Sequence, residues 1–207
     1  RPMNGIDAPM ASQLERVAAL EPELKALVGE ENRPERIRRE VAVQDQCTAS
    51  SATSSPLRGT LVGIKDIFHV DGLPTRAGSL LPSEALAGEQ AACVHLLKEA
   101  GALVLGKTTT TEFAFFEPSP TRNPNNVAHT PGGSSSGSAV AVAAGYCPLS
   151  IGSQTVGSVI RPAAFCGVLG FKPTWGRIPS EGMLYYSPSV DTVGVFARSS
   201  DWMEIAA

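Results

Sequence analysis

The chain has 207 residues, of which 43% are hydrophobic, and a formal net charge of -3. This length and composition suffice for one buried core, so we expect residues 1–207 to form a single domain. The weak negative charge offers no basic field for phosphates, which argues against nucleic acid and acidic membranes as partners. No apolar run reaches the roughly 20 residues of a membrane span, and no secretory signal opens the chain. We therefore expect a cytoplasmic protein with a small-molecule substrate. Because residue 1 is Arg, the sequence leaves open whether a targeting segment lies upstream.

The spacing of cysteines and histidines argues against metal sites, disulfides and metal cofactors. The sequence has no C-x-x-C pair and no H-x-x-x-H or H-x-E spacing, so we predict no metal and no cofactor. A G-x-S-x-G nucleophile motif is absent as well, so a Ser-His-Asp triad has no sequence support. The residues concerned are Cys47, Cys93, Cys147, Cys166, His69, His95 and His129.

The predicted elements alternate between helices and short apolar strands. Residues 11–31 have the apolar periodicity of an amphipathic helix, and the polar stretch 32–56 indicates a helix end followed by a loop. Strands are then predicted at 60–66, 102–106, 148–153 and 168–171, and helices at 90–100, 138–144, 158–165 and from about 197 onward. This alternation predicts an α/β fold with a mixed, largely parallel β-sheet and helices on both faces.

Two turns of small residues precede predicted helices. The run 130–138 could wrap closely around a ligand, because its glycines adopt backbone angles that other residues avoid. It is not a phosphate-binding loop, since Ser138 stands where that motif requires lysine. In the second turn, Ser158 follows a strand and opens a helix, so preceding amides can face an oxyanion beside its hydroxyl. Ser158 is therefore a candidate nucleophile without a base nearby in the sequence.

Together these segments resemble the amidase signature hydrolases over about residues 57–197. The family pattern comprises a lysine in an apolar strand, a Gly-Gly-Ser-Ser turn and a Gly-Ser turn that enters a helix before Arg-Pro-Ala. The matching residues are Gly63-Ile64-Lys65-Asp66, Gly132-Gly133-Ser134-Ser135 and Gly157-Ser158-Val159-Ile160-Arg161-Pro162-Ala163. The resemblance implies that Ser158 is the acylated nucleophile, that Ser134 bridges after a cis peptide bond, and that Lys65 is the ultimate base.

The chemistry of the three residues is consistent with these roles. A serine needs a partner that takes its proton, and a lysine accepts a proton only when it is neutral. Because the pKa of an exposed lysine is about 10.4, the site must lower the pKa of Lys65 by burial. The oxyanion hole is expected to consist of the backbone amides of Thr155, Val156, Gly157 and Ser158.

Two departures from the family pattern bear on the substrate. Val156 replaces the more usual glycine and is expected to narrow the space beside the nucleophile. Arg161 lies one residue further from the nucleophile than in the Ser-Ile-Arg form common in tRNA-amidotransferase subunits. This wider spacing resembles the malonamidase branch. We expect Arg161 either to bind a substrate carboxylate in bidentate fashion or to form a structural ion pair.

The leading functional hypothesis is hydrolysis of a small, malonamate-like amide by an acyl-enzyme mechanism that releases ammonia or an amine. Two alternatives remain, namely the ammonia-generating subunit of a tRNA amidotransferase and a partial, non-catalytic scaffold chain. Family members are usually about twice as long, so we expect residues 1–207 to be the N-terminal part of a longer enzyme. Exposed strand edges would favour association, and a homodimer is one expected form.

Overall fold

Five short strands form one sheet in the computed structural model, which describes residues 7–48 and 55–206. The strands are β1 (Leu61–Lys65), β2 (Leu103–Thr108), β3 (Leu149–Gln154), β4 (Leu169–Phe171) and β5 (Thr192–Ala197). The helices are α1 (Ala8–Leu24), α2 (Arg33–Thr48), α3 (Ala92–Glu99), α4 (Ser136–Ala143), α5 (Ile160–Cys166) and α6 (Ser200–Ala206). Short 3-10 helices cover Ser83–Leu86 and Glu112–Ala114.

The strand order is β2-β1-β3-β5-β4. Strand β1 pairs in parallel with β2 and β3, whereas β5 is antiparallel to both β3 and β4. Four of the five strands therefore run in one direction, which confirms the mixed, largely parallel sheet. Strands β1, β2 and β3 are buried along their whole length, as expected when helices cover both faces of parallel strands.

Each face of the sheet carries its own hydrophobic core. One core joins the sheet to α1, α2, α4 and α5, and the second joins the opposite face to α3 and α6. Helix α4 consists mainly of serine, glycine, alanine and valine, and all but the last of its residues are buried. Its small side chains let it lie close to the sheet, because a Cβ on Gly137 would clash with the Ala26 carbonyl oxygen and the Thr109 amide nitrogen.

The first helix is shorter than the predicted range 11–31. Helix α1 ends at Leu24 because Lys25 adopts a left-handed conformation, with φ of 51°. The Glu21 carboxylate accepts a hydrogen bond of 2.7 Å from the Leu27 amide, and Leu27 then forms an antiparallel bridge to Thr108 at the end of β2. Tertiary pairing with the sheet thus takes over residues whose apolar spacing still fits a helix.

The prediction of a helix end followed by a loop over residues 32–56 is wrong for its first part, which forms a separate helix, α2. Ile37 and Val41 are buried, and the Arg36 guanidinium donates to the carbonyl oxygens of Val104 and Leu105 in β2. The same guanidinium pairs with Glu30. This polar anchoring to the sheet stabilises a helix whose composition is mostly polar, and periodicity therefore failed to reveal it. Residues 49–54 lie outside the described part of the chain.

Strand β5 was not predicted from the sequence, although all six of its residues are buried. It lies between β3 and β4 and completes the sheet beside the Ser158 turn. Among the described residues, no helix is long and apolar enough to cross a membrane.

Candidate active site

Lys65 ends β1 and is completely buried. Its ammonium nitrogen Nζ lies 2.7 Å from the Ser134 hydroxyl oxygen and 2.9 Å from the Ser153 hydroxyl oxygen. The structure therefore brings two of the three predicted site residues into direct hydrogen-bond contact, across 69 residues of sequence. Ser153, at the end of β3, is a contact that the motifs did not reveal.

Burial lowers the pKa of Lys65 to about 7, because the charged ammonium loses its hydration. The negative charge of Asp191 opposes part of this effect. Near neutral pH a large fraction of Lys65 is therefore an uncharged amine that can accept a proton, whereas an ordinary lysine is almost wholly charged. A lysine that serves as a base needs such a lowered pKa, and the burial that produces it is present.

The turn that carries Ser134 is held by its neighbours. The peptide bond between Gly133 and Ser134 is cis, as the family resemblance implied. The Thr111 amide donates to the Ser134 carbonyl at 3.1 Å. The Ser135 hydroxyl donates to the Ser153 carbonyl at 3.1 Å and accepts from the Ser153 amide at 3.3 Å. These contacts fix the Ser134 turn against the carboxyl end of β3.

Ser158 lies on the turn between β3 and α5 and is half-buried. Its carbonyl accepts a hydrogen bond of 3.3 Å from the Ser135 amide, which joins the two serine turns through the backbone. In the part of the chain that the structure describes, the hydroxyls of Ser158 and Ser134 are not hydrogen-bonded to each other. A proton path between them thus needs a rotation of a serine side chain or a bridging group.

The backbone of the Ser158 turn presents several amides that lie outside the helix ladder of α5. The Gln154 side-chain oxygen accepts from the amides of Val159 and Ile160, at 2.9 and 3.0 Å, and thereby caps the start of α5. The four preceding amides have no partner among the described residues and remain available as donors. They belong to the residues predicted for the oxyanion hole, Thr155, Val156, Gly157 and Ser158.

These four residues line one pocket of about 360 Å³. Arg161 also faces this pocket, as do Ala114, Phe115, Phe116 and Tyr186. Val156 is 89% exposed, so its side chain borders the pocket and does not fill it. The narrowing expected from Val156 is correspondingly small on this side of the site.

Arg161 contacts the backbone beside Ser134. Its Nε and Nη2 atoms both donate to the Gly133 carbonyl oxygen, at 3.1 and 2.7 Å. Among the described residues it forms no ion pair, so the structural ion pair that the sequence left open is not observed there. The guanidinium supports the Ser134 turn and still has Nη1 free to meet a ligand in the pocket.

Asp191 is a further site residue that the sequence reasoning missed. Its carboxylate accepts hydrogen bonds from the Thr155 hydroxyl and from the amides of Tyr186 and Ser187, the latter two at 2.7 and 2.8 Å. It is buried and acts electrostatically on Lys65. An Asp-Thr pair before an apolar strand was the available signal, yet only the fold brings it to the Ser158 turn.

The cysteine thiols that the structure describes do not offer a competing nucleophile. Burial raises the pKa of Cys93, Cys147 and Cys166 to about 12, so these thiols are poor nucleophiles. The side chain of Cys47 lies outside the described set. Within the described ranges, no group of three or more His, Cys, Asp or Glu residues is placed to hold a metal ion.

The sequence of residues 10–206 matches the family described as Amidase. The chain belongs to this family. It is 40% identical over 192 residues to the A subunit of glutamyl-tRNA(Gln) amidotransferase from Synechococcus sp. strain RCC307, a match that covers 90% of this chain and 39% of that protein. It is 48% identical over 153 residues to the corresponding protein of Thermus thermophilus, covering 70% of this chain and 32% of that protein.

Among solved structures, the chain resembles the native peptide amidase of Stenotrophomonas maltophilia with a TM-score of 0.83 and 36% identity. That match covers 95% of this chain and 42% of the other. The chain thus spans about two fifths of the length of the curated relative from Synechococcus and of this peptide amidase. The amidase signature resemblance is confirmed at the level of the family, whereas the relatives from Synechococcus and Thermus are amidotransferase subunits and not malonamidases.

Proposed function

We propose that this chain carries the catalytic centre of an amide hydrolase. The observation that supports it best is the fully buried Lys65, with its pKa near 7, in hydrogen-bond contact with Ser134. Neutral Lys65 takes a proton through Ser134 as Ser158 Oγ attacks the amide carbonyl. The leaving ammonia or amine receives that proton, and water then hydrolyses the acyl-enzyme by the same path.

The four free amides from Thr155 to Ser158 stabilise the developing oxyanion in this scheme. Each preorganised donor of this kind contributes about 10²-fold or more to the rate in comparable sites. The Gln154 cap supports the arrangement, because it satisfies the next two amides without occupying the hole. No metal or cofactor is required by the proposed chemistry.

A fluorophosphonate probe tests the proposal directly. We expect covalent labelling of one serine, Ser158, when the labelled residue is mapped by mass spectrometry, together with ammonia release from primary amides. A chain that serves only as a scaffold would leave every serine unlabelled. The probe therefore separates the catalytic proposal from the non-catalytic alternative.

The relatives favour the ammonia-generating amidotransferase subunit over a malonamate hydrolase as the more specific role. Similarity to amidotransferase subunits from Synechococcus and Thermus supports this assignment, which includes partner subunits that receive the ammonia. A carboxylate-bearing small amide stays the second candidate, because Arg161 faces the pocket and its Nη1 is free. The homodimer, the cytoplasmic location and the single domain over residues 1–207 remain predictions.

Replacement of Arg161 by lysine distinguishes substrate binding from support of the Ser134 turn. If Arg161 binds a substrate carboxylate, Arg161→Lys should raise KM for malonamate about tenfold, since lysine has no guanidinium that can hold Gly133 and meet the carboxylate at the same time. The neutral methyl ester of malonamate, with nearly the same size, serves as the matched control and should be little affected. Steady-state kinetics on both amides provide the measurement, and equal losses on the two would assign Arg161 to the Gly133 carbonyl alone.

Asp191 should set the pH range of the reaction through its charge. Asp191→Asn removes the negative charge that raises the pKa of Lys65, so this pKa should fall from about 7 to a lower value. Neutral lysine would then persist to lower pH, and the acidic limb of the probe-labelling rate should move down by about half a unit to one unit. Thr155→Val removes one hydrogen bond to Asp191 but no charge. The acidic limb of the labelling rate of this variant should therefore stay at the same pH. A shift of the Asp191→Asn limb to higher pH would contradict this role.

A further inference from the structure

Three aromatic side chains form one wall of the pocket beside Ser158. Phe115 stacks on Tyr186, with ring centroids 5.5 Å apart and an interplanar angle of 23°. Phe116 meets Phe115 edge to face, with centroids 4.8 Å apart. The exposed fractions are 50% for Phe115, 73% for Phe116 and 50% for Tyr186. We call Phe115, Phe116 and Tyr186 the aromatic wall.

The aromatic wall is tied to the catalytic turns from both sides. The Thr111 hydroxyl donates to the Phe115 carbonyl at 2.6 Å, and the Thr111 amide donates to the Ser134 carbonyl at 3.1 Å. On the other side, the Tyr186 amide donates a hydrogen bond to the Asp191 carboxylate, which also accepts a hydrogen bond from the Thr155 hydroxyl. The wall is therefore part of the same hydrogen-bonded framework as the proposed base and oxyanion hole.

The backbone before the wall adopts an uncommon conformation. Phe113 and Ala114 have φ of 47° and 59°, in the left-handed region that residues other than glycine seldom occupy. Such a conformation persists where surrounding contacts determine it. Here the Phe113 amide donates to the Ala77 carbonyl at 2.8 Å, and the Ala114 amide to the Thr111 carbonyl at 3.0 Å. The loop is thus held with Phe115 and Phe116 at the pocket.

The pocket is larger and more aromatic than a compact, carboxylate-bearing amide requires. Within the described residues, its only charged lining residue is Arg161, and part of that guanidinium already binds Gly133. A volume of about 360 Å³ lies within the range typical of sites for drug-sized ligands. A malonamate-sized substrate would leave the ring faces in water, whereas a flat ring would cover them.

We propose that the aromatic wall is a specificity subsite that binds a flat, π-rich group on the acyl side of the substrate amide. This inference rests on the proposed function, because it takes Ser158 as the nucleophile. Stacked and edge-to-face ring contacts stabilise a bound ring beyond the contribution of its buried area, so substrates of this class are preferred over short aliphatic amides of equal charge. Arg161 Nη1 lies at the same pocket and can meet a polar substituent on such a group.

Two sulfonyl fluorides test the subsite, because both can modify the nucleophile and differ in a ring. Phenylmethanesulfonyl fluoride carries the ring, and methanesulfonyl fluoride lacks it. In each case Ser158 Oγ forms a bond to sulfur, the sulfur–fluorine bond breaks, fluoride leaves and the hydroxyl proton passes to Lys65. The measurement is the ratio of the two second-order labelling rates in the full chain, with the labelled residue mapped by mass spectrometry.

Phe116→Leu and Tyr186→Leu should each lower the ratio of phenylmethyl to methyl reagent about three- to tenfold, since leucine keeps bulk but loses the ring face. Trp175→Leu is the matched control, an aromatic residue 58% exposed that does not line this pocket, and its ratio should equal that of the unmodified protein. Labelling of Ser158 with ratios unchanged in both wall variants would overturn the subsite and leave the proposed function intact. Failure of both reagents to label Ser158 would instead overturn the proposed function on which the subsite rests.

Discussion

Replacement of Ser158 by alanine should abolish covalent probe labelling and lower amide turnover by roughly six orders of magnitude, as loss of a nucleophilic serine does in other hydrolases. The reason is that no acyl intermediate can form without the Ser158 hydroxyl. Ser158 is half-buried and its carbonyl, not its hydroxyl, forms the contact with the Ser135 amide. The variant should therefore keep the fold. Probe labelling and ammonia release, measured beside circular dichroism, provide the test.

A neighbouring serine supplies the control for this experiment. Ser187 also lies near the site, since its amide binds Asp191, but its hydroxyl has no proposed part in the chemistry. Ser187→Ala should retain labelling and most of the turnover. If the folded Ser158→Ala protein still accumulates an acyl adduct at the original rate, the nucleophile is a different residue.

Loss of the proton path should also be severe and should show strong coupling between Lys65 and Ser134. Lys65→Met, which retains much of the buried volume, and Ser134→Ala should each lower the labelling rate by about 10³-fold or more. Because the two residues act as one unit through a 2.7 Å hydrogen bond, the double variant should be little slower than the worse single variant. A double-mutant cycle on labelling rates measures this coupling.

The control cycle combines Lys65→Met with the substitution of a lysine that lies away from the site. Lys98 is in α3 and its ammonium binds Gln90, so Lys98→Ala should have a small effect that multiplies independently with that of Lys65→Met. Independent, multiplying effects of Lys65→Met and Ser134→Ala would show that these two residues do not share a proton path.

Local patterns in the sequence were sufficient for the core of the fold and for the three main site candidates. The apolar runs around Lys65, Leu103 and Leu149 predicted buried strands, because central parallel strands are apolar on both faces. The turns around Ser134 and Ser158 were recognisable because their glycines and small side chains permit close backbone approach. Such features depend on neighbours along the chain and can be read without the tertiary structure.

Tertiary structure decided what depends on contacts between distant segments. Helix α2 has a mostly polar sequence and is anchored to β2 through Arg36, so its own periodicity was uninformative. Ser153 reaches Lys65 because β3 pairs with β1, and Asp191 reaches the site because β5 pairs with β3. Likewise, the sequence required a lowered pKa for Lys65, but the complete burial that lowers it arises from the surrounding sheet and helices.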